Sequence, residues 1–409
     1  MNRIENQRDF ANETQVINRK NIKRKKRNNK KKDIILIAII MVIGVTILSF
    51  LFLGFKALIS SVEPKELKDD SSFSSSVLGD YSNLNMLEFA DEVSRRDVAP
   101  YLMLPNPSPA VAASIEGKNV GIYGAMLTVG DAGYEYYKFN QTTGDNFIKA
   151  LNTSIEKMPP EVEIFTMIVP SSIDIMLPLS FLHEHASRTS DQEKSIKYFN
   201  HGISDKAIAL DIYPMMKAYC NQNIYMKRHN SWTSLGAYYA STIWKSANGF
   251  EVPKISSYRK GTAGEMKGYI SSFVGSKELS GLEVVEYYIP GSDLKITEYQ
   301  NPDSAQSSIF TDVSKTNRKL NAFLGGKRAL TEITNSTVTD NSTVVIVGDS
   351  LSYQLAPYIA ENYKKTYLID YTEYSGDLAE FVKTVSAEDV LYCFDIDVTL
   401  SDEKISQID

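Results

Sequence analysis

Cysteine is almost missing from this chain. Cys220 and Cys393 are the two copies in 409 residues, 173 positions apart. That excludes a disulfide framework and a cysteine-rich metal site, and leaves open a single bridge between the two. Cys393 sits inside the apolar run "DVLYCFDI" and reads as a core residue. Histidine is scarce as well: His183, His185, His201 and His229 make up the set. The "LHEH" pair, His183 and His185, reads as surface or loop, because a lone His-x-His lacks the further ligands that a metal requires. His201 follows Asn200 at an expected helix end, where a cation suits the dipole. No metal and no cofactor is expected, and no internal repeat is visible.

Charge of one sign is missing over most of the length. Residues 1–33 carry 12 Lys and Arg against Glu5, Asp9, Glu13 and Asp33, while the remainder holds 32 basic and 46 acidic side chains. The acidic remainder gives no support to nucleic-acid binding. The basic residues crowd into "RKNIKRKKRNNKKK", and the uninterrupted run "IILIAIIMVIGVTILSFLFLGF", residues 34–55, follows directly. As a helix that run measures about 33 Å at roughly 1.5 Å per residue, enough to cross a bilayer core. A cleaved signal peptide has a shorter apolar core of about 7–15 residues ending in small residues. The expectation is one transmembrane helix with a cytoplasmic basic tail (1–33) and everything after it extracytoplasmic. The tail sets topology and touches anionic lipid heads. Residues 56–80, polar and Ser-rich, form a stalk.

An extracytoplasmic domain then fills 81–409. Its first part, with "PYLMLPNPSP", is not regular structure. From Lys118 short apolar runs read as buried strands at 162–169, 206–213, 343–347, 366–371 and 390–396. Between them, Phe147, Leu151, Ile155 and Met158 share one helical face, ended by Pro159-Pro160. Pro214 suits the first turn of a helix, and Thr233 or Ser234 caps another through "SLGAYYASTIWKSA". This alternation implies an α/β domain, a mainly parallel sheet flanked by helices. Residues 250–335 break the rhythm with an expected β-hairpin, "LEVVEYYIP" then "GSD" then "LKITEY". They form a β-rich insertion, either a lid over the site or a surface addition.

The stretch "VVIVGDSLSYQLAPYI" is a strand, a Gly-Asp-Ser turn and a helix. Such a turn carries Ser350 to the carboxyl edge of the sheet, where open α/β folds bind ligands, and the helix offers backbone N–H groups to an oxyanion. The competing reading makes Ser350 or Ser352 a helix cap. Asp349 either shapes the turn or faces substrate.

These features resemble the DHHW proteins, bacterial relatives of the SGNH (GDSL-like) hydrolases and of the alginate acetylation proteins. The resemblance runs over roughly residues 118–400. It is carried by "FTMIVPSSIDIMLP", "ALDIYPMMKAY", "WTSLGAYYAS" and "VVIVGDSLSYQLAPYI", with "DVLYCFDID" spaced to match. It implies an SGNH-hydrolase-like fold and a membrane-anchored domain at the cell membrane, working with a membrane-bound O-acyltransferase to acetylate a cell-surface polysaccharide. It places the nucleophile on Ser350.

It also exposes a gap. The four positions of the Asp-His-His-Trp motif are His229, Asn230, Ser231 and Trp232 here. In related enzymes the aspartate orients the histidine just before tryptophan, and that histidine activates the serine. Those two positions hold His229 and Ser231 in this chain. A serine hydroxyl is a poor nucleophile without a base within reach. His229 is the nearest titratable replacement, yet it stands two residues, about 6–7 Å of extended chain, from the lost histidine. The leading expectation is a degenerate copy that binds glycan or the acyltransferase. The rival is a working O-acetyltransferase or acetylesterase using Ser350, with His229 or a residue of 250–335 as base. A third is a structural cell-envelope protein. Trp232, Asp349, Asn230 and Ser231 are the expected substrate-binding residues.

Overall fold

The computed structural model describes residues 115–275, 278–299, 301–306 and 308–408. The basic tail, the apolar run 34–55, the stalk and residues 81–114 lie outside the described residues. Among the described residues no helix is long and apolar enough to cross a membrane.

The described part opens with a small antiparallel meander, β1 (Val120–Tyr123), β2 (Met126–Val129) and β3 (Ala132–Glu135). Helix α1 (Gln141–Lys157) follows, capped by Asn140, whose side chain accepts from the Thr143 N–H. Its buried face is Phe147, Leu151 and Ile155, the helical stripe expected from the sequence. Then come β4 (Glu163–Val169), the short α2 (Ser172–Met176) and α3 (Leu179–Glu184), α4 (Gln192–Gly202), β5 (Ala207–Ala209) and α5 (Tyr213–Ala218). Helix α6 (Ser234–Ala247) is capped by Thr233, which accepts from the Gly236 N–H. A Cβ at Gly236 would lie 2.3 Å from the Ile224 carbonyl oxygen, so only glycine lets α6 approach that segment.

The middle of the chain holds β6 (Arg259–Met266), α7 (Tyr269–Val274), β7 (Glu283–Ile289), β8 (Leu294–Glu298), β9 (Asn301–Gln306) and β10 (Leu330–Asn335). The last part is β11 (Thr343–Gly348), α8 (Ser352–Ala360), β12 (Lys365–Asp370), α9 (Leu378–Thr384), β13 (Asp389–Asp395) and α10 (Asp402–Ile405).

The main sheet runs β5-β4-β13-β11-β12-β10-β8-β9. From β5 to β12 every pairing is parallel, and from β12 outward every pairing is antiparallel. The apolar runs behind β4, β11, β12 and β13 are the buried centre, with Val344, Val345, Ile346 and Leu391 wholly enclosed. The α/β expectation of a mainly parallel sheet therefore holds.

Two expectations are corrected. The strands expected to form one hairpin, β7 and β8, do not pair with each other. β7 pairs with β6 in a separate two-stranded sheet, whereas β8 joins the main sheet between β10 and β9. Much of 250–335 is thus an antiparallel extension of the main sheet. The expected strand 206–213 shrinks to Ala207–Ala209, because the Asp211 carboxylate accepts from the Tyr213 N–H and turns the chain into α5. Cys220 and Cys393 are both buried, and among the described residues neither forms a disulfide, so the single bridge left open by the sequence is not made.

Candidate functional site

The five parallel strands β5, β4, β13, β11 and β12 share one carboxyl edge, where open α/β sheets bind ligands. β11 ends in the Gly348-Asp349-Ser350 turn and β13 in Asp395, with Asp397 two residues beyond. Ser350 is exposed. Neither serine caps α8: the cap residue is Leu351, without a side-chain bond, and the Ser352 hydroxyl donates to the Cys393 carbonyl (3.2 Å). Among the described residues no hydrogen bond engages the Ser350 hydroxyl.

Gly348 has a plain steric reason. A Cβ there would fall 2.0 Å from Ser352 Oγ and 2.3 Å from the Cys393 carbonyl oxygen. Gly348→Ala is expected to shift the turn and cost roughly 1–3 kcal/mol, the usual range for overpacking. Urea unfolding of the variant checks it. A stability equal to the native chain's would mean that β11 and β13 separate more easily than this packing allows.

Asp349 holds the turn closed. Its Oδ1 accepts from the Leu351 N–H (2.9 Å) and its Oδ2 from the Asp395 N–H (2.6 Å), tying β11 to β13. The Ser352 N–H is taken by the Asp349 carbonyl (3.1 Å). Two of the N–H groups expected to face an oxyanion are therefore already engaged.

The motif segment 225–232 folds as a tight hairpin. Tyr225 bridges to Trp232, and the Met226 N–H donates to the Ser231 carbonyl (3.0 Å). Neighbouring elements pin it: Gly133 N–H donates to the Lys227 carbonyl (2.7 Å), Ile270 N–H to the Arg228 carbonyl (3.0 Å), and Arg228 N–H to Glu283 Oε2 (2.7 Å). Trp232 is 0% exposed and its indole donates to the Leu351 carbonyl (3.2 Å). Its expected contact with substrate is corrected to a buried support of the serine turn. Ser231 is buried too, its hydroxyl accepting from Gln354 Nε2 (2.8 Å) on the first turn of α8. It faces inward, and its expected substrate contact is likewise withdrawn. The Gln354 Oε1 beside it is buried without a protein partner.

His229 and Asn230 lie at the hairpin tip, both partly exposed. Asn230 Nδ2 donates to Glu135 Oε2 (3.3 Å) at the end of β3. The His229 Nδ1 is buried without a partner, and burial pushes its pKa down to about 4. The His229 ring lies 6.2 Å from that of Tyr269. No hydrogen bond joins His229 to Ser350 among the described residues.

Around this tip stands an acidic group of which sequence reasoning found only Asp349. Burial pushes Asp349 up to about 6, although the Asp395 and Leu351 N–H groups and Lys404 pull it back. Asp397 rises to about 7 through burial and the nearby Glu135, against Lys404. Asp395 moves up strongly for the same reasons, burial first and then Asp397 and Asp349. Glu135 is raised by burial, while Asn230 and Lys404 lower it. The end of β13 was visible in the sequence as "CFDID", but nothing local tied it to Glu135, 260 positions earlier than Asp395.

His183 and His185 follow the carboxyl end of β4, on and just after α3. His185 Nδ1 bonds the Phe181 carbonyl (2.9 Å) and its ring stacks on Phe181. His183 lines a cavity of about 280 Å³ with Asp174, Tyr213 and Lys217. Tyr213 donates to Asp174 Oδ2 (2.8 Å), and burial pushes that carboxyl up to about 6. Among the described residues no group of three or more His, Cys, Asp or Glu is placed to hold a metal ion.

The model of the family described as "DHHW protein" matches residues 74–369. Among solved structures, a DHHW family protein from Eubacterium siraeum is 21% identical, with a TM-score of 0.64 over 73% of this chain and 98% of its own. Bacillus cereus PatB1 carrying a sulfonyl adduct is 15% identical, with a TM-score of 0.55 over 70% of this chain and 98% of its own. These likenesses concern the fold. No curated protein matches.

Proposed function

Because the chain belongs to the DHHW family, we propose that it serves O-acetylation of a cell-surface polysaccharide. In this reading it is anchored at the cell membrane by residues 34–55, with its domain extracytoplasmic. It binds the glycan beside a membrane O-acyltransferase and has little or no turnover of its own. The single observation that carries the loss of turnover is the environment of Ser350. The turn is intact and the hydroxyl exposed, yet the position that the family resemblance gives to the base holds Ser231, bonded to Gln354.

His229 does not supply a substitute. A general base works best with a pKa near the working pH, whereas this imidazole sits at about 4 and makes no bond to Ser350. The enzyme reading retains one observation in its favour, the uncapped and exposed Ser350 at the carboxyl edge of the sheet.

A sulfonyl fluoride distinguishes them, chosen because the similar PatB1 carries a sulfonyl adduct. The full-length chain in detergent is expected to show no labelling above that of Ser350→Ala by intact mass. Labelling that disappears in both Ser350→Ala and His229→Ala would overturn the proposal and make His229 the base of an enzyme.

A further inference from the structure

Resting on that reading, we infer that Tyr269 and Phe273 form a stacking platform for the pyranose rings of the glycan, with Glu135, Asn230, His229 and Asp397 as its hydroxyl-binding wall. Both aromatics are on α7 one turn apart, and they are 45% and 57% exposed. Exposed rings of this size are unusual on a helix whose other face is well buried, as Ile270 and Val274 are against Met126 and Leu279. That burial makes the platform rigid. Its distance from the hairpin tip is fixed as well. Ile270 N–H donates to the Arg228 carbonyl, and a Cβ at Gly268 would lie 1.9 Å from that same oxygen.

The wall is polar in a way that calls for a ligand. His229 Nδ1 and Asp397 Oδ1 are buried and have no protein partner, while Asn230 and Glu135 already hold each other. Buried polar atoms are nearly always bonded, so these two call for hydroxyl groups from outside the chain. The Tyr269 ring stands 6.2 Å from the His229 ring, edge to face, so the platform borders the wall. An apolar ring face beside a few fixed acceptors and donors is the chemistry of a sugar: its C–H face stacks and its hydroxyls bond. Anionic lipid heads are disfavoured by the same carboxylates. Four residues apart, the two positions are offset by about 6 Å along the helix, the scale of one pyranose unit.

The test measures binding of glucan, mannan and N-acetylglucosamine hexasaccharides to the full-length chain in detergent by calorimetry. The variants are Tyr269→Ala/Phe273→Ala, Tyr269→Phe, and Leu179→Ala as a distant exposed apolar control. At least one hexasaccharide is expected to bind the native chain and to lose about tenfold or more in the double alanine variant, while Tyr269→Phe and Leu179→Ala stay within about twofold. If the native chain binds and the double variant binds equally, the platform is overturned and the glycan reading stands. An equal loss in Leu179→Ala also overturns it, by exposing non-specific adhesion. If the native chain binds none of the three, the glycan-binding reading fails and the platform with it. Thermal midpoints of all variants, expected to match because the three side chains are exposed, separate binding loss from misfolding.

Discussion

The double variant His229→Asp/Ser231→His is expected to gain sulfonyl fluoride labelling at Ser350, about 10²–10⁴-fold faster than the native chain, the usual contribution of a positioned base. The expectation follows from how the hairpin is held. Tyr225 and Trp232 bridge, and the Trp232 indole reaches the Leu351 carbonyl, one residue past the serine. Position 231 therefore faces the first turn of α8, as its bond to Gln354 demonstrates, whereas position 229 stands at the tip, open to the cleft. An imidazole at 231 displaces the Gln354 amide. That loss is small, because its carbonyl oxygen has no protein partner already. A carboxylate at 229 orients the ring and stabilises its protonated form. Ser231→His alone is expected to gain less, for want of that orientation. If the double variant folds and stays unlabelled, then the hairpin does not aim position 231 at Ser350. The account of a lost base would be wrong in geometry even though right in sequence.

What the sequence revealed and what it hid divide along a physical line. Strands β4, β11, β12 and β13 were legible because both faces of each are buried, so each is a continuous apolar run. The Gly-Asp-Ser turn and the 225–232 segment were legible because their residues are contiguous. By contrast β9 reads "NPDSAQ", which has a proline and almost no apolar side chain, and β6 reads "RKGTAGEM", largely exposed. Their pairing is fixed by neighbours and not by their own pattern, which is why a local hairpin looked better than the true partners. The site divides in the same way. Ser350 and Asp349 could be found from one turn. Glu135, Tyr269 and Asp397 come from β3, α7 and the end of β13, and only the closed fold brings them together. Trp232 misled for the opposite reason: a prominent motif residue suggests substrate contact, but its indole is spent on holding the serine turn.

The same acidic group makes stability fall as pH rises, and Asp397→Asn is expected to remove much of that fall. In the folded chain Asp349 sits at about 6 and Asp397 at about 7, with Asp395 also raised. Away from the cluster, Asp174 sits at about 6. Unfolded, these carboxyls return to roughly 3.9. Between those limits the native state holds more protons than the unfolded one, so unfolding free energy declines with pH. Their contribution is fully present below the unfolded pKa and is lost as pH passes through about 6 to 7. His229 works the other way. Its pKa of about 4 lies below the unfolded imidazole's, so its contribution is lost as pH falls through that window. It is one group against several. Lys404 attracts Asp349, Asp395 and Asp397 alike but does not reverse any of the shifts. Replacing Asp397 by asparagine removes the charge that Asp395 feels most. The variant's advantage over the native chain is expected to grow between pH 5 and pH 8 by up to about 3 kcal/mol, since Asp397 loses its proton at about 7 and each pKa unit is worth about 1.4. Urea unfolding at both pH values measures this difference. A native chain that is more stable at pH 8 than at pH 5 would mean that the cluster is open to water and ionises freely, and the wall proposed to bind hydroxyl groups would then be solvated carboxylate.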